Sequence, residues 1–270
     1  MQIEGAVAVV TGGGSGIGAA LVSQLARAGA KAVAVVDLEA AAARDVAEQV
    51  GAQVEGADVW HTGCDVADES QVRHLVELVE QRHGGIDLFC ANAGIATGQG
   101  IQADDEVWRR AIDVNVMAHV YAARALVPGW CERGRGHLMI TASAAGLLTN
   151  LGDAPYSVSK HAAVALAEWI SITYGDEGVG VSCLCPQGVR TPLLFGVGAP
   201  TNGDLAARVV KTQRILEPDE VARVTVAGLA RDSFLILPHE EVATYEQARA
   251  SDRERWLASM RRLQSRLDPG

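Results

Sequence analysis

The sequence predicts an α/β fold, a Rossmann-like doubly wound parallel sheet of about seven strands with helices on both faces. Three observations lead to this prediction. Short apolar runs alternate with longer segments of helical periodicity, which is typical of βαβ units around a sheet buried on both sides. A glycine-rich turn follows the first apolar run. The 270 residues are 49% hydrophobic, and no linker-like stretch divides them, so one core is expected.

The first βαβ unit ends at Asp37. Residues 6–11 form an apolar run that predicts a strand. Residues 16–28 show helical periodicity and end before Gly29, a residue type favoured just beyond helix ends. Residues 32–37 form a second apolar run, which predicts a strand parallel to the first.

The later elements repeat this alternation. Strands are predicted at 59–64, 87–91, 136–141, 179–185 and 233–237, and helices at 38–50, 69–83, 104–127, 154–174 and 218–230. The last of these helices begins with Pro218, Asp219 and Glu220, residue types that suit a first helical turn.

Two segments depart from the regular pattern. Residues 192–213 contain several glycines after an apolar start, so we expect either a lid over a substrate or a plain surface loop.

We expect residues 1–240 to form a single domain. Residues 241–270 should form a helical extension packed on that domain or on a neighbouring subunit. Its apolar stripe at helical spacing consists of Trp256, Met260, Leu263 and Leu267.

Charge and cysteine content exclude several classes of protein. The net charge is −10, and the short basic stretch at 253–266 is interpreted as a solvated helix face. A nucleic-acid or anionic-lipid partner is therefore not expected. No signal peptide or run of about 18 apolar residues is found, so we predict a cytoplasmic protein that does not enter a membrane. The five cysteines lack CxxC spacing, so neither a disulfide framework nor a metal site is expected.

A phosphate-binding turn is predicted between the first strand and the first helix, where the chain reads TGGGSGIG over 11–18. Glycines let backbone N–H groups approach a pyrophosphate at the N-terminus of a helix. More than one glycine spacing fits this string, so the strand before it and the helix after it carry the prediction. The turn residues expected to bind a dinucleotide are Gly12, Ser15, Gly16, Ile17 and Gly18.

Asp37 favours NAD as that dinucleotide. A carboxylate at the end of the second strand accepts hydrogen bonds from the ribose hydroxyls and repels a 2′-phosphate. The glycine turn contains no Lys or Arg to bind such a phosphate. The alternative is that Asp37 only caps the next helix. The neighbouring Leu38 is included in the expected cofactor site.

Tyr156 and Lys160 are predicted to act together, because residues four apart share one helix face. A positive charge about 4 Å from a phenol is worth on the order of 4 kcal/mol at an effective dielectric of about 20. That lowers the pKa of a tyrosine from about 10 toward neutrality, with desolvation opposing the change. Tyr156 would then be a general base. A surface pair on an amphipathic helix is the plain alternative.

The chain from 4 to 240 resembles the short-chain dehydrogenase/reductase family. The matching features, in chain order, are the turn at 11–18, Asp65, the string Asn92-Ala93-Gly94, Asn115, Ser143, Tyr156 with Lys160, and the stretch 186–191. Each of these alone has a bland reading as a turn former, cap or satisfied polar group. Their order and separation together make the resemblance specific.

The resemblance implies the catalytic roles. Ser143 would hydrogen-bond the substrate oxygen, and Tyr156 would transfer its proton. Lys160 would lower the pKa of the tyrosine and hold the nicotinamide ribose. Asn115 would position a water in the proton relay. A homotetramer or homodimer is also implied.

The resemblance further implies cofactor contacts. Asp65 and Val66 would hold the adenine ring, and Thr191 would contact the carboxamide of the nicotinamide. The other expected cofactor residues are Asn92, Ala93, Gly94, Lys160, Pro186, Gly188 and Val189. The family usually has Gly directly after the proline, where this chain has Gln187. The amide of Gln187 is expected to face the substrate or to re-aim the loop.

The expected activity is hydride transfer between NAD(H) and a hydrophobic secondary alcohol or ketone, with Tyr156 as general acid/base. The stretches 144–151 and 192–198 contain several leucines but no Lys or Glu, which suits a steroid, terpenoid, alicyclic or acyl-chain compound. The expected substrate contacts are Ser143, Ala145, Tyr156, Gln187 and Leu193. The alternatives are an NAD-using epimerase or dehydratase of the same fold, and a non-catalytic NAD-binding regulator.

Overall fold

The computed structural model describes residues 1–195, 205–210 and 214–267. The predicted loop at 192–213 and the extension at 241–270 therefore lie partly outside the described residues. Within them, seven strands form one parallel sheet, which confirms the predicted fold class. The strands are β1 (Val7–Thr11), β2 (Ala32–Asp37), β3 (Asp58–Gly63), β4 (Leu88–Ala91), β5 (Gly136–Thr141), β6 (Val179–Leu184) and β7 (Leu235–Ile236).

The strand order is β3-β2-β1-β4-β5-β6-β7, and the pairings of these strands are parallel. Strand β1 lies between β2 and β4, so the winding of the chain reverses direction at this point. Loops that leave the carboxyl ends of β1 and β4 diverge there and open a crevice, which is where folds of this kind bind ligands.

Helices cover both faces of the sheet. They are α1 (Gly16–Arg27), α2 (Ala40–Gly51), α3 (Glu69–His83), α4 (Asp105–Ile112), α5 (Ala118–Arg133), α6 (Ala145–Leu148), α7 (Ala154–Tyr174), α8 (Pro192–Phe195), α9 (Leu205–Val210), α10 (Pro218–Ala230), α11 (Glu241–Ser251) and α12 (Arg253–Leu267). One apolar core joins the sheet to α3, α5 and α7, and a second joins it to α1, α2 and α10. The sheet is therefore buried on both sides.

Local signals explain several helix ends. The side chain of Asp68 accepts a hydrogen bond from the backbone N–H of Ser70 and so caps α3, and Gly84 ends this helix with φ of 85°. Helix α10 starts at Pro218, and Glu217 and Glu220 form a capping box around its first turn.

The helix predicted at 104–127 is corrected to two helices. Helix α4 ends at Ile112, a π-helical turn spans Asp113–Met117, and α5 continues to Arg133. The prediction ended one residue before Pro128, whereas Pro128 lies inside α5. A π turn changes the helical register by one residue, and hydrophobic periodicity does not reveal such a change.

The residues after β7 form α11 and α12. Helix α11 packs against α6, and α12 packs against α9. In the described part of the chain, the extension therefore contacts the body of its own subunit.

Candidate active site

One cavity of about 710 Å³ opens at the carboxyl ends of the strands. It brings together the residues predicted for the cofactor, from the glycine turn after β1 to the stretch after β6, and those predicted for the substrate. The predicted residues that line it are Gly12, Ser15, Gly16, Ile17, Gly18, Asp37, Leu38, Asp65, Val66, Asn92, Ala93, Gly94, Ser143, Ala145, Tyr156, Lys160, Pro186, Gln187, Gly188, Val189, Thr191 and Leu193. Asn115 does not reach the cavity wall.

The glycine turn has the geometry of a cradle. Gly12 has φ of 63°, and a Cβ atom at Gly18 would lie 2.0 Å from the carbonyl oxygen of Gly12, so neither position accepts a larger residue without rearrangement. Ser15 precedes α1 in an extended conformation, and its side chain makes no capping hydrogen bond. The turn therefore places the N-terminus of α1 at the cavity, where it suits an anion such as a pyrophosphate.

The carboxylate of Asp37 is fixed at the end of β2. Its Oδ2 accepts a hydrogen bond from the N–H of Gly14 at 2.9 Å, and its Oδ1 accepts one from the N–H of Glu39 at 3.1 Å. The alternative that Asp37 caps α2 is wrong, because Glu39 occupies the position before that helix. The carboxylate is therefore oriented at the cavity by backbone groups on both sides.

Asp65 lies at the same end of the cavity. Arg110 also lines this end, and its Nη1 lies 3.5 Å from Oδ2 of Asp65. The guanidinium is thus paired with a carboxylate, although 43% of its side chain remains exposed. Sequence reasoning did not single out Arg110, because a lone Arg on an amphipathic helix carries no motif.

A chain of hydrogen bonds links the glycine turn to Lys160. The side chain of Asn92 donates to the carbonyl oxygen of Thr11 at 3.0 Å and accepts from the hydroxyl of Thr141 at 3.1 Å. The carbonyl oxygen of Thr141 accepts from Nζ of Lys160 at 2.8 Å. Asn92 thus ties the ends of β1, β4 and β5 together, and the ammonium group is held at the end of β5.

Asp153 holds the start of the helix that carries Tyr156. This buried carboxylate accepts from the N–H of Tyr156 at 3.1 Å, and from the N–H groups of Thr97 at 2.9 Å and Gly98 at 2.8 Å. Sequence reasoning missed this residue. Its signal was available, since an Asp directly before Ala154 and Pro155 is a typical N-terminal helix signature.

Tyr156 and Lys160 lie one above the other, as the spacing predicted. Nζ of Lys160 is 5.7 Å from the centroid of the Tyr156 ring. Burial raises the pKa of Tyr156 to about 12, with a hydrogen bond from Ser143 opposing it, and burial lowers the pKa of Lys160 to about 8. The expected shift of the tyrosine pKa toward neutrality is not met in this structure, because desolvation of the phenolate has the larger effect.

Ser143 follows β5 and is buried beside Tyr156. Its hydroxyl accepts from the N–H of Ala145 at 3.1 Å and lies 3.4 Å from the carbonyl oxygen of Pro186. The serine is therefore positioned between the first turn of α6 and the end of β6.

Asn115 lies behind the cavity in the π-helical turn. Its Oδ1 accepts from the N–H of Ile95 at 2.9 Å, and its Nδ2 donates to the carbonyl oxygen of Ile95 at 2.9 Å and to the hydroxyl of Ser159 at 3.0 Å. The amide thus fastens the segment after β4 to α7. A Cβ atom at Gly94 would lie 3.1 Å from Oδ1 of Asn115 and 3.2 Å from Nζ of Lys160, so this glycine allows the two side chains to converge.

Gln187, the departure from the family pattern, is held through its backbone. Its N–H donates to Nδ1 of His239 at 3.1 Å, and Nε2 of His239 lies 3.1 Å from the carbonyl oxygen of Arg214. Its side-chain Oε1 is buried and has no hydrogen-bond partner among the described residues. Nothing in the sequence pointed to His239, which follows the last strand.

The stripe on the C-terminal extension also reaches the cavity. Trp256, Met260 and Leu263 line it, together with Tyr245 of α11. Sequence reasoning interpreted this stripe as packing, because helical periodicity does not distinguish packing from a ligand site.

Within the described ranges, no cluster of three or more His, Cys, Asp or Glu side chains has the arrangement of a metal site. None of the helices in that part of the chain combines the length and apolar character needed to cross a membrane.

The residues at this crevice fit a nicotinamide dinucleotide. A glycine cradle lies at the N-terminus of α1, where side chains would fill the space, and a fixed carboxylate follows the next strand. The fold and the site thus define the class of dinucleotide-binding α/β proteins.

Comparison with known proteins identifies the family. The family described as short chain dehydrogenase matches residues 6–199. The 1-deoxy-11-beta-hydroxypentalenate dehydrogenase of Streptomyces avermitilis is 35% identical over 248 residues, which are 90% of this chain and 88% of that protein. The chain belongs to the short-chain dehydrogenase/reductase family of oxidoreductases.

Solved structures agree with this assignment. A short chain dehydrogenase/reductase from Burkholderia phymatum in complex with NAD is similar with a TM-score of 0.84 and 30% identity, covering 94% of this chain and 96% of that chain. A short-chain dehydrogenase from Sphingobium yanoikuyae in complex with NADPH is similar in fold, with a TM-score of 0.78 and 22% identity over 94% and 95% of the two chains. The first of these neighbours was solved with NAD and the second with NADPH.

Proposed function

We propose that the protein transfers a hydride between NAD(H) and an apolar secondary alcohol or ketone. One observation carries the proposal: Ser143, Tyr156 and Lys160 converge on the cavity that the glycine turn also lines. A donor for the substrate oxygen, a proton-transfer group and a nearby positive charge are the protein groups that this chemistry needs.

The roles of these side chains follow from their positions. A bound nicotinamide supplies or accepts the hydride. The hydroxyl of Ser143, which lies beside Tyr156 on the cavity wall, donates to the substrate oxygen. In the oxidative direction the substrate hydroxyl loses its proton to the Tyr156 phenolate, and in reduction the phenol returns that proton to the oxygen. Lys160 lies close enough to favour the phenolate and to hold the ribose.

The preference for NAD rests on Asp37. Its carboxylate is fixed by two backbone N–H groups at the end of β2, where an acidic residue of this fold class accepts from the ribose hydroxyls. Bringing a phosphate against this carboxylate costs free energy through like-charge repulsion. Arg110, a cation that lines the same cavity, is paired with Asp65.

The apolar substrate class rests on the cavity wall. Leu148 and Leu193 line it, and Trp256 and Leu263 line it from the C-terminal extension. The streptomycete relative is named for a hydroxyl-bearing substrate, which also supports an alcohol. Arg214 and Glu241 are charged residues of the same wall, and Arg214 is paired with Glu220 at 3.4 Å.

Assembly into a homodimer or homotetramer is part of the proposal. Helix α7 exposes Trp169 and Ile172, the latter with 84% of its surface accessible. Apolar side chains exposed together on a helix suit an interface between subunits. A single species of monomer mass in light scattering would contradict this assembly.

A cytoplasmic location is also part of the proposal. It is supported by the five free cysteines, which suit a reducing compartment.

The test is the absorbance at 340 nm with NAD or NADP and a panel of secondary alcohols. The proposal predicts turnover of apolar alcohols with NAD and little turnover of sugar phosphates or hydroxy acids. A clear preference for charged substrates would contradict the apolar class, and a clear preference for NADP would contradict the role of Asp37.

A further inference from the structure

The last helix, α12, has two faces of different character. Trp256, Met260 and Leu263, spaced by four and three residues, line the cavity and are half-buried. Leu257, the residue after Trp256, does not line the cavity and is 42% exposed. One face of α12 is therefore turned toward the site and the other toward solvent.

An aromatic pair belongs to this wall. The ring centroids of Tyr245 in α11 and Trp256 in α12 lie 6.4 Å apart, and the planes are tilted by 43°. Both residues line the cavity. Two adjacent aromatic rings with a thioether and a leucine beside them form a broad apolar surface, which we call the C-terminal wall (Tyr245, Trp256, Met260 and Leu263).

The C-terminal wall is anchored to the rest of the site. Val242 of α11 is fully buried in the core beneath the sheet, and α11 packs against α6, the short helix that follows Ser143. Helix α12 packs against α9, where a guanidinium nitrogen of Arg208 donates to the carbonyl oxygen of Leu267 at 2.6 Å. The wall is thus fixed relative to the catalytic serine at one end and to the 205–210 helix at the other.

We propose that the C-terminal wall is the part of the substrate site that selects the carbon skeleton, and that Trp256 packs against a rigid, fused-ring apolar alcohol or ketone. This inference rests on the proposed function and names its substrate class. Flat ring systems make large contacts with aromatic faces. A rigid skeleton also loses less conformational entropy on binding than a linear chain does, so the same contact area yields more affinity.

The test compares three secondary alcohols that share the reacting group: cyclohexanol, a tetracyclic hydroxysteroid and 2-dodecanol. Trp256→Ala is expected to raise KM for the tetracyclic alcohol about tenfold or more, since truncating an aromatic side chain that packs on the substrate removes a large apolar contact. kcat/KM for cyclohexanol is expected to stay within about twofold of the parent, because a single ring offers the wall much less apolar surface to contact.

Two variants serve as controls. Leu257→Ala removes an exposed leucine from the same helix and is expected to leave all three substrates unaffected. Trp256→Phe keeps an aromatic face and is expected to restore most of the affinity for the tetracyclic alcohol. If Trp256→Ala lowers the melting temperature sharply, Met260→Ala tests the same wall through its next turn.

The outcomes separate this inference from the proposed function. Equal losses for cyclohexanol and the tetracyclic alcohol, or a larger loss for 2-dodecanol, would overturn the fused-ring selection while Tyr156-dependent turnover stands. Binding is measured separately, by isothermal titration calorimetry with a tetracyclic ketone. The wall predicts weaker binding in Trp256→Ala and nearly parental binding in Trp256→Phe. Parental affinity in Trp256→Ala would overturn the inference even if no alcohol is turned over.

Discussion

The backbone N–H of Gln187 and Nδ1 of His239 are joined by a hydrogen bond of 3.1 Å. A carbonyl oxygen only accepts, so Nε2 of His239 donates to Arg214, and the ring is the neutral tautomer that accepts at Nδ1. Burial lowers the pKa of His239, which agrees with a neutral ring. One imidazole thereby joins the loop after β6 to the segment that precedes α10.

His239 is expected to make the protein less stable in acid. The pKa of His239 is lower in the folded chain than the ordinary value near 6.5. The contribution of His239 to the free energy of unfolding is therefore complete above pH 6.5 and is lost as the pH falls below that value. His239→Ala is expected to cost about 1–3 kcal/mol at neutral pH, because a buried N–H and carbonyl lose their partner. Urea unfolding between pH 8 and 5 measures both effects. A His239→Ala variant as stable as the parent at pH 8 would contradict the stabilising role of these two hydrogen bonds.

Asp153→Ala is expected to destabilise the protein by about 1–3 kcal/mol, because this buried carboxylate accepts from three backbone N–H groups. It is also expected to lower kcat, since the start of α7 carries Tyr156. Asp104→Ala is the matched control, because Asp104 precedes α4 without a side-chain capping bond. Thermal unfolding and kcat are measured for both. Equal effects of the two substitutions would contradict the role of Asp153 in holding the start of α7.

Asp37→Ser is expected to shift the cofactor preference from NAD toward NADP by about tenfold or more in the ratio of kcat/KM, since about 1.4 kcal/mol of repulsion corresponds to a factor of ten. Glu39→Gln keeps the neighbouring backbone N–H and is expected to leave the ratio unchanged. Steady-state kinetics with both dinucleotides provide the measurement. A ratio that does not move in Asp37→Ser would show that another group selects the cofactor.

Gly94→Ala is expected to lower kcat, because the added Cβ crowds both Asn115 and Lys160 at little more than 3 Å. The matched control is Gly129→Ala in α5, where a Cβ would meet nothing within 4 Å. That control is expected to keep full activity and to gain up to about 1 kcal/mol of stability, because alanine is the better helix former. Full activity in Gly94→Ala would contradict the packing argument.

Elements with strong local signals could be predicted from the sequence. The bounds of β2, β5, α3, α7 and α10 agree with the prediction. Strand β2 is a continuous apolar run, and α10 starts with Pro218 and two acidic residues. The glycine turn and the Tyr156–Lys160 pair are also local patterns in the sequence. Their presence in one site could therefore be predicted.

Other features depend on contacts between distant segments. The π-helical turn around Asn115 is stabilised by Ile95, and the loop at Gln187 by His239, so neither follows from local periodicity. The sign of the pKa shift of Tyr156 depends on how deeply the phenol is buried, which spacing on a helix does not give. The role of the C-terminal wall depends on the packing of α11 against α6 and of α12 against α9, which the sequence does not give.

Proton transfer by Tyr156 is tested by the rate of NAD reduction with an apolar secondary alcohol, measured for the parent protein and for Tyr156→Phe. The rate in the parent is expected to rise with pH, because oxidation needs the phenolate and burial raises the pKa of Tyr156. A loss of about 10²- to 10⁴-fold is expected in the variant, the usual contribution of a general base. NAD binding, followed by fluorescence, should be retained. A Tyr156→Phe variant that binds NAD and oxidises the alcohol at the parental rate would show that Tyr156 does not transfer the proton.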